Sequence, residues 1–241
     1  MSDAREEIFR RIRAALPTGQ LAAERDTELP AATVAETPRR ALFDTWKHEI
    51  EALGGHVTGP VAPERAAAEV TAIAAALPAN ELLAWDAPNL RAPGLDAALA
   101  AAGIALLRPV AGDDPRTTRD RQAALGVGLS GAIAGLASTG SVVVASGAGQ
   151  ARAASLLPAT CIVVLHLSDL YADLPSWMAL AGARRMPETA NIVVITGPSR
   201  TADIELSLVI GVHGPGSLYV VAVDDLVAVD DLPPHCARAP G

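Results

Sequence analysis

The sequence predicts an α/β fold: a mixed, mostly parallel sheet held between helical layers. Three observations carry this. From residue 63 onward, short apolar runs alternate with amphipathic helical stretches, the rhythm of strands joined by crossover helices. Two of the runs, 161–165 and 192–195, are apolar throughout and rich in β-branched residues, as expected of strands buried on both faces. The 241-residue chain is 50% hydrophobic but only 3% aromatic, and its Ala, Val, Leu and Gly suit close packing of helices on a sheet.

Residues 6–16 can form an amphipathic helix with Ile8, Phe9, Ile12 and Leu16 on one side and arginines on the other. A helix this short needs something to pack on. Pro17, Gly19, Pro30 and Pro38 mark the stretch after it as linker, so residues 1–38 read as an N-terminal helical arm and residues 39–241 as the α/β domain. The arm is either a frayed end or a docking helix for a partner subunit. Residues 39–53 form a better helix, with Leu42, Trp46, Ile50 and Leu53 in one stripe and Gly54 as its left-handed cap. Helix 63–77, strand 81–85, helix 95–102, strand 104–107 and a charged helix 114–124 come next. Residues 126–144 break the rhythm, because two short apolar segments flank Ala137-Ser138-Thr139-Gly140-Ser141; a hairpin is expected there. Strand 161–165, helix 168–181, strand 191–195 and strand 218–223 complete the domain, and the proline-rich residues 233–241 form a loose tail.

A net charge of −8 argues against a duplex nucleic acid or an anionic membrane as main partner, since either rewards a basic face. The scarcity of aromatics argues against base-stacking platforms. Cys161 and Cys236 are the only cysteines, whereas an iron–sulfur cluster takes about four thiolates, so no metal or cluster site is expected. The N-terminus is charged where a signal peptide needs an apolar core, and no run reaches the ~20 apolar residues of a membrane span. These readings point to a cytoplasmic protein.

Candidate ligand-binding residues gather after strand 191–195. Thr196, Gly197 and Pro198 end the strand, and Ser199, Arg200 and Thr201 stand where a short helix is expected to begin. Helix N-terminal amides beside a planar guanidinium suit a carboxylate or phosphate. His213, between Gly211 and Gly214, falls in a second turn and is expected to face a cleft. The turn Ser146-Gly147-Ala148-Gly149-Gln150, followed by Arg152, reads either as a plain β-to-α turn or as an anion cradle. Strand ends add Asp86, Ser146, His166 and Thr196, which the carboxyl-end rule for parallel sheets would gather in one cleft. Asp203 and Glu205, two apart on a helix, would point to different sides; one is expected to orient Arg200 and the other to support the fold or an interface. Gly126-Val127-Gly128-Leu129-Ser130-Gly131 spells the dinucleotide fingerprint but lacks the preceding strand and the acidic residue about 20 positions on, so it is read as turns and close backbone packing. No serine, threonine or cysteine has the partners of a nucleophile.

The segment Gly-Pro-Ser-Arg-Thr-Ala-Asp-Ile-Glu at 197–205 with Gly-Val-His-Gly-Pro at 211–215 resembles the signature of the lactate utilization protein C family, built on the LUD domain. Arg152 with Ser155-Leu156-Leu157-Pro158, and the earlier Ala-Ser-Thr-Gly-Ser at 137–141, occur in the order that family shows. The resemblance spans roughly residues 42–223. The chain departs from the family in carrying Ser138 where an acidic residue usually precedes Thr-Gly. The resemblance implies a three-layer fold like that of the sugar-phosphate isomerases and CoA-transferases. It also implies a part in oxidising L-lactate to pyruvate beside iron–sulfur partner subunits; the residue reading adds a small anionic ligand, and the two cysteines add that this chain binds no cofactor or cluster itself. Taken together, the residue reading and the resemblance give as expected substrate-binding residues Thr139, Ser146, Arg152, His166, Thr196, Ser199, Arg200, Thr201, Asp203, Glu205 and His213. The alternative is a free-standing enzyme of that fold class acting on a phosphorylated or carboxylate substrate. Neither reading fixes the oligomeric state, and a homo-oligomer is compatible with both.

Overall fold

The computed structural model describes residues 2–15, 37–109, 114–202 and 208–226. Most of the expected linker, at 16–36, and the expected tail, at 233–241, lie outside the described residues. The chain divides into two units, residues 1–33 and 34–241. The first contains α1 (Ser2–Ala15), whose Ile8 and Phe9 are exposed and whose Glu7 carboxylate accepts from Arg10 and Arg11.

The second unit begins with α2 (Arg39–Ala52), which buries Phe43, Trp46 and Ile50. In chain order there follow β1 (His56–Val61), α3 (Pro63–Ala76), β2 (Glu81–Ala84), α4 (Ala87–Leu90), α5 (Leu95–Ala101), β3 (Ala105–Leu107) and α6 (Pro115–Ala123). Next come β4 (Val127–Gly131), β5 (Ala134–Leu136), a 3-10 turn (Ala137–Thr139) and β6 (Ser141–Ser146). A second 3-10 turn (Arg152–Ser155) leads to β7 (Thr160–His166), β8 (Leu170–Tyr171), α7 (Leu174–Trp177), a π-helical turn (Met178–Gly182) and α8 (Ala183–Arg185). β9 (Asn191–Ile195), β10 (Arg200–Ala202), β11 (Leu208–Ile210) and β12 (Ser217–Val223) complete the described elements.

The main sheet has the order β1-β12-β7-β4-β2-β3 and is parallel throughout. A second sheet, β8-β5-β6-β9, holds the antiparallel pairings of β5 with β6 and β6 with β9, and β10 and β11 form a separate hairpin. Crossovers from β1 to β2 and from β2 to β3 run one way across the main sheet, while those from β3 to β4, β4 to β7 and β7 to β12 run the other way. Right-handed crossovers therefore put α3 and α5 on one face, where they pack on each other, and the second sheet on the opposite face. The central strands β7 and β12 are almost wholly buried, which accounts for their unbroken apolar runs.

Three elements differ from the sequence expectation. β1 was not anticipated, because Gly59 and Pro60 interrupt its pattern; it lies at the edge of the sheet, where a proline costs no ladder bond. The single helix expected over 168–181 is broken. The Asp173 side chain accepts from the Ser176 amide and caps a new start, Pro175 occupies the first turn, and β8 pairs with β5 instead. The helix expected from Ser199 is the strand β10, because pairing with Leu208–Ile210 satisfies its backbone groups. Two of the fingerprint glycines, Gly128 and Gly131, serve packing, whereas Gly126 faces open space. A Cβ at Gly128 would come within 1.8 Å of the Ala154 carbonyl oxygen, so only glycine lets the second 3-10 turn lie on β4.

Candidate functional site

The expected cleft divides into two places at opposite ends of β7. Cys161, near its amino end, lines a cavity of about 200 Å³ together with Ser155, Leu156, Val194, Ile195, Thr196, Gly197, Ser199, His213, Gly214, Pro215 and Leu218. His166 ends the same strand five residues on, about 17 Å away at the usual rise per residue. Thr196, Ser199 and His213 are thus together, and His166 and Asp86 are elsewhere.

The cavity is built by strand ends and two turns. β9 delivers Thr196 through its antiparallel pairing with β6, in which Val142 faces Ile195 and Ser146 faces Asn191. Ser146 consequently sits at the far end of that ladder from Thr196. The carboxyl-end rule holds for parallel strands, and these two are not parallel. Ser199 is fixed by its own backbone, its amide donating to the Pro215 carbonyl at 2.8 Å and its carbonyl accepting from the Gly211 amide at 2.9 Å. Ser199 Cβ would lie 3.5 Å from any Cβ at Gly214, so the turn carrying His213 packs directly against it. Arg152 is exposed, and its carbonyl accepts from the hydroxyl of the lining residue Ser155 at 3.3 Å.

Arg200 turns away from the cavity. Its guanidinium donates to the Leu53 carbonyl at the end of α2, beside Gly54, and is absent from the lining. No helix N-terminus exists at Ser199, so the side-chain donors offered to a ligand are hydroxyls and the His213 imidazole. Thr201 contributes its backbone to β10, its side chain lying outside the described residues, as do Asp203 and Glu205. Among the described lining residues there is no guanidinium or ammonium group. Uncharged donors and one imidazole can compensate a single negative charge far better than a phosphate dianion. Cys161 is fully buried, and burial pushes its thiol up to about 12, so it is a protonated wall of the cavity rather than a nucleophile or a metal ligand.

Behind Thr196 stands a residue that sequence reasoning missed. The Ser141 hydroxyl is 2.8 Å from that of Thr196 and 2.7 Å from that of Thr139, and Ser141 is 1% exposed. Trp46 of α2 donates its indole N–H to the Ser141 carbonyl at 3.0 Å. Ser141 opens the hairpin strand next to the Ala-Ser-Thr-Gly turn, but nothing in its local pattern announced a bond to a residue 55 positions away.

At the carboxyl edge of the main sheet, connections leave β2 and β4 in opposite directions, which places the switch-point crevice between them. The chain fills that crevice itself. The Asp86 amide donates to the Gly149 carbonyl at 2.8 Å, Asn89 donates to Ala148 and Trp85 to Ala151. The Gly147 and Gln150 amides bond each other's carbonyls, so they are not free to cradle an anion. Alongside lies a charged cluster. His166 is 4% exposed, and its Nδ1 is 3.3 Å from the Asp225 carboxylate. Burial first, and then the nearby Arg91, hold the His166 imidazole below its ordinary range, so the ring is neutral. Against the upward push of burial, the Ser168 hydroxyl and amide keep the Asp225 carboxyl low. Burial raises the Asp169 carboxyl although Arg91 is bonded to it. Among the described residues no group of three or more His, Cys, Asp or Glu could hold a metal ion, and no helix is long and apolar enough to cross a membrane.

Comparison with known proteins bears on this arrangement. A lactate utilization protein C of Shouchella clausii is 33% identical over 151 residues, covering 61% of this chain and 64% of that protein. One of Halalkalibacterium halodurans is 38% identical over 104 residues, covering 41% of this chain and 44% of its own length. The matches thus span less than two thirds of either relative. A crystal structure of a DUF162 family protein from Deinococcus radiodurans shares the fold, with a TM-score of 0.52 at 21% identity, over 78% of this chain and 99% of that one. The LUD domain family model matches residues 48–223, the whole of the sheet-bearing region from α2 to β12, and the chain belongs to that family.

Proposed function

We propose that this chain is a component of an L-lactate utilization system that holds a small monocarboxylate in the cavity beneath Ser199 and His213. The observation that carries the ligand reading is the convergence of Thr196, Ser199 and His213 in a hollow of about 200 Å³. Pockets for drug-sized molecules start at about 300 Å³, so a nucleotide or a CoA moiety is too large to be enclosed here. Apolar Leu156, Val194, Ile195 and Leu218 would take a methyl group, and the hydroxyls and imidazole a carboxylate. The system-level reading is supported by the names of the two relatives. With two cysteines, one of them buried and protonated, this chain would leave electron transfer to iron–sulfur partner subunits, and its own part would be to bind and orient.

Ligand-dependent unfolding tests the reading. L-lactate or pyruvate at 100 times its dissociation constant should stabilise the parent by about 2.7 kcal/mol. Ser199→Ala and His213→Ala should each weaken binding by about tenfold to a hundredfold, the range of one lost hydrogen bond to a charged group. Stabilisation by sugar phosphates or CoA, with none by monocarboxylates, would replace this reading by that of a free-standing enzyme. Co-purification with iron–sulfur proteins of lactate oxidation tests the system-level claim separately.

A further inference from the structure

Thr139, Ser141 and Thr196 form a line of three hydroxyls, 2.7 and 2.8 Å apart, that runs from an exposed residue through a buried one to the cavity wall. Thr139 lies outside the lining and Thr196 within it. Each hydroxyl has one proton, so two bonds along the line consume two protons and leave one over. When Thr139 donates to Ser141 and Ser141 to Thr196, the spare proton belongs to Thr196 and is available to a ligand.

We infer that Ser141 is a positioning residue that sets the Thr196 hydroxyl as a polarised donor, and that the line as a whole makes the cavity prefer a carboxylate over its neutral amide. This rests on the monocarboxylate reading above. Donors already accepting a hydrogen bond donate more strongly, and the gain is greatest toward an ionised acceptor. The geometry holding Ser141 in place is rigid. Its carbonyl is fixed by the Trp46 indole, and Gly140 before it, at φ +63°, abuts the α2 backbone so closely that an added Cβ would lie 2.3 Å from the Ile50 nitrogen. Ser141 also opens β6, whose register with β9 puts Val142 opposite Ile195 and so brings Thr196 alongside. Among the described residues both hydrogen-bond partners of the Ser141 hydroxyl are hydroxyls of this line.

The test compares L-lactate with L-lactamide, which have the same shape and differ in charge, by titration calorimetry on the full chain. Thr139→Val removes the outermost hydroxyl from an exposed position outside the cavity lining, so the fold should be intact. It should lower the lactate-to-lactamide affinity ratio about threefold, and Ser141→Ala about fivefold, within the range of one hydrogen bond's net contribution. Thr139→Ser should keep the parent ratio, because it keeps the hydroxyl. Near-ultraviolet circular dichroism should stay at the parent spectrum in both threonine variants. An unchanged ratio in Thr139→Val and Ser141→Ala, with lactate still bound, overturns the inference and leaves the proposed function standing. Equal weakening of both ligands also overturns it, since that is the mark of a merely structural role. A parent that binds neither ligand overturns both.

Discussion

Gly140→Ala should destabilise the fold by about 3 kcal/mol and loosen the candidate cavity in the same step. Two costs add. An alanine at φ +63° pays ~1 kcal/mol for a left-handed conformation. Its Cβ would also lie 2.3 Å from the Ile50 nitrogen and 2.8 Å from the Ile50 Cα, both backbone atoms of α2 that cannot rotate away. Overpacking of this kind adds about 2 kcal/mol. The helix must retreat, and with it the Trp46 indole that holds the Ser141 carbonyl. Gly94→Ala is the matched control, because Gly94 has φ +76° and no heavy atom within 4 Å of its added Cβ. Denaturant titration should show it losing only the conformational share. If the two variants lose equal stability, α2 is not the rigid backing of the cavity that its contacts indicate.

Stability should fall as the pH drops below about 6.5, and His166→Gln should flatten that decline. The imidazole is held low in the folded chain by burial and by Arg91, while the unfolded chain titrates near 6.5. Below 6.5 the unfolded state therefore takes up a proton that the folded state refuses, and stability is lost with a slope of up to ~1.4 kcal/mol per pH unit until the folded ring titrates. Asp169 acts in the opposite sense. Its raised carboxyl keeps a proton to higher pH when folded, so it favours the fold below its folded value and contributes less as pH rises through it. Asp225, held low, adds stability above the ordinary carboxylate range and loses it as pH falls below. The sum has one test in chemical denaturation at stepped pH. A His166→Gln curve parallel to that of the parent would show that other groups dominate the window.

The sheet was largely legible. The apolar run at β7 and the glycine-punctuated hairpin of β5 and β6 are local patterns, and local patterns survive folding; the run at 192–195 also forms a strand, but β9 lies at the edge of the second sheet with Val194 exposed, and is not the strand buried on both faces that its composition suggests. β1 was not, because Gly59 and Pro60 read as breakers and only its place at the edge tolerates them. The helix foreseen at Ser199 failed for a similar reason: its backbone found partners in Leu208–Ile210, which lie beyond the range of turn chemistry. At the candidate site, Thr196, Ser199 and His213 could be found from strand ends and glycine turns. Their separation from Ser146 and His166 could not, since it depends on β6 and β9 being antiparallel in a second sheet.

The sequence alone determined most of the main-sheet strands and the helices that cover them, through hydrophobic period and turn residues, and it determined the cysteine count that bounds cluster chemistry. The tertiary structure decided which hydroxyls meet and where Arg200 points. Ser141 and Thr196 are 55 residues apart, and a shift of one residue in the β6–β9 register would send one of them to the other face. That register is set by packing across the whole sheet, and no local stretch of the chain encodes it.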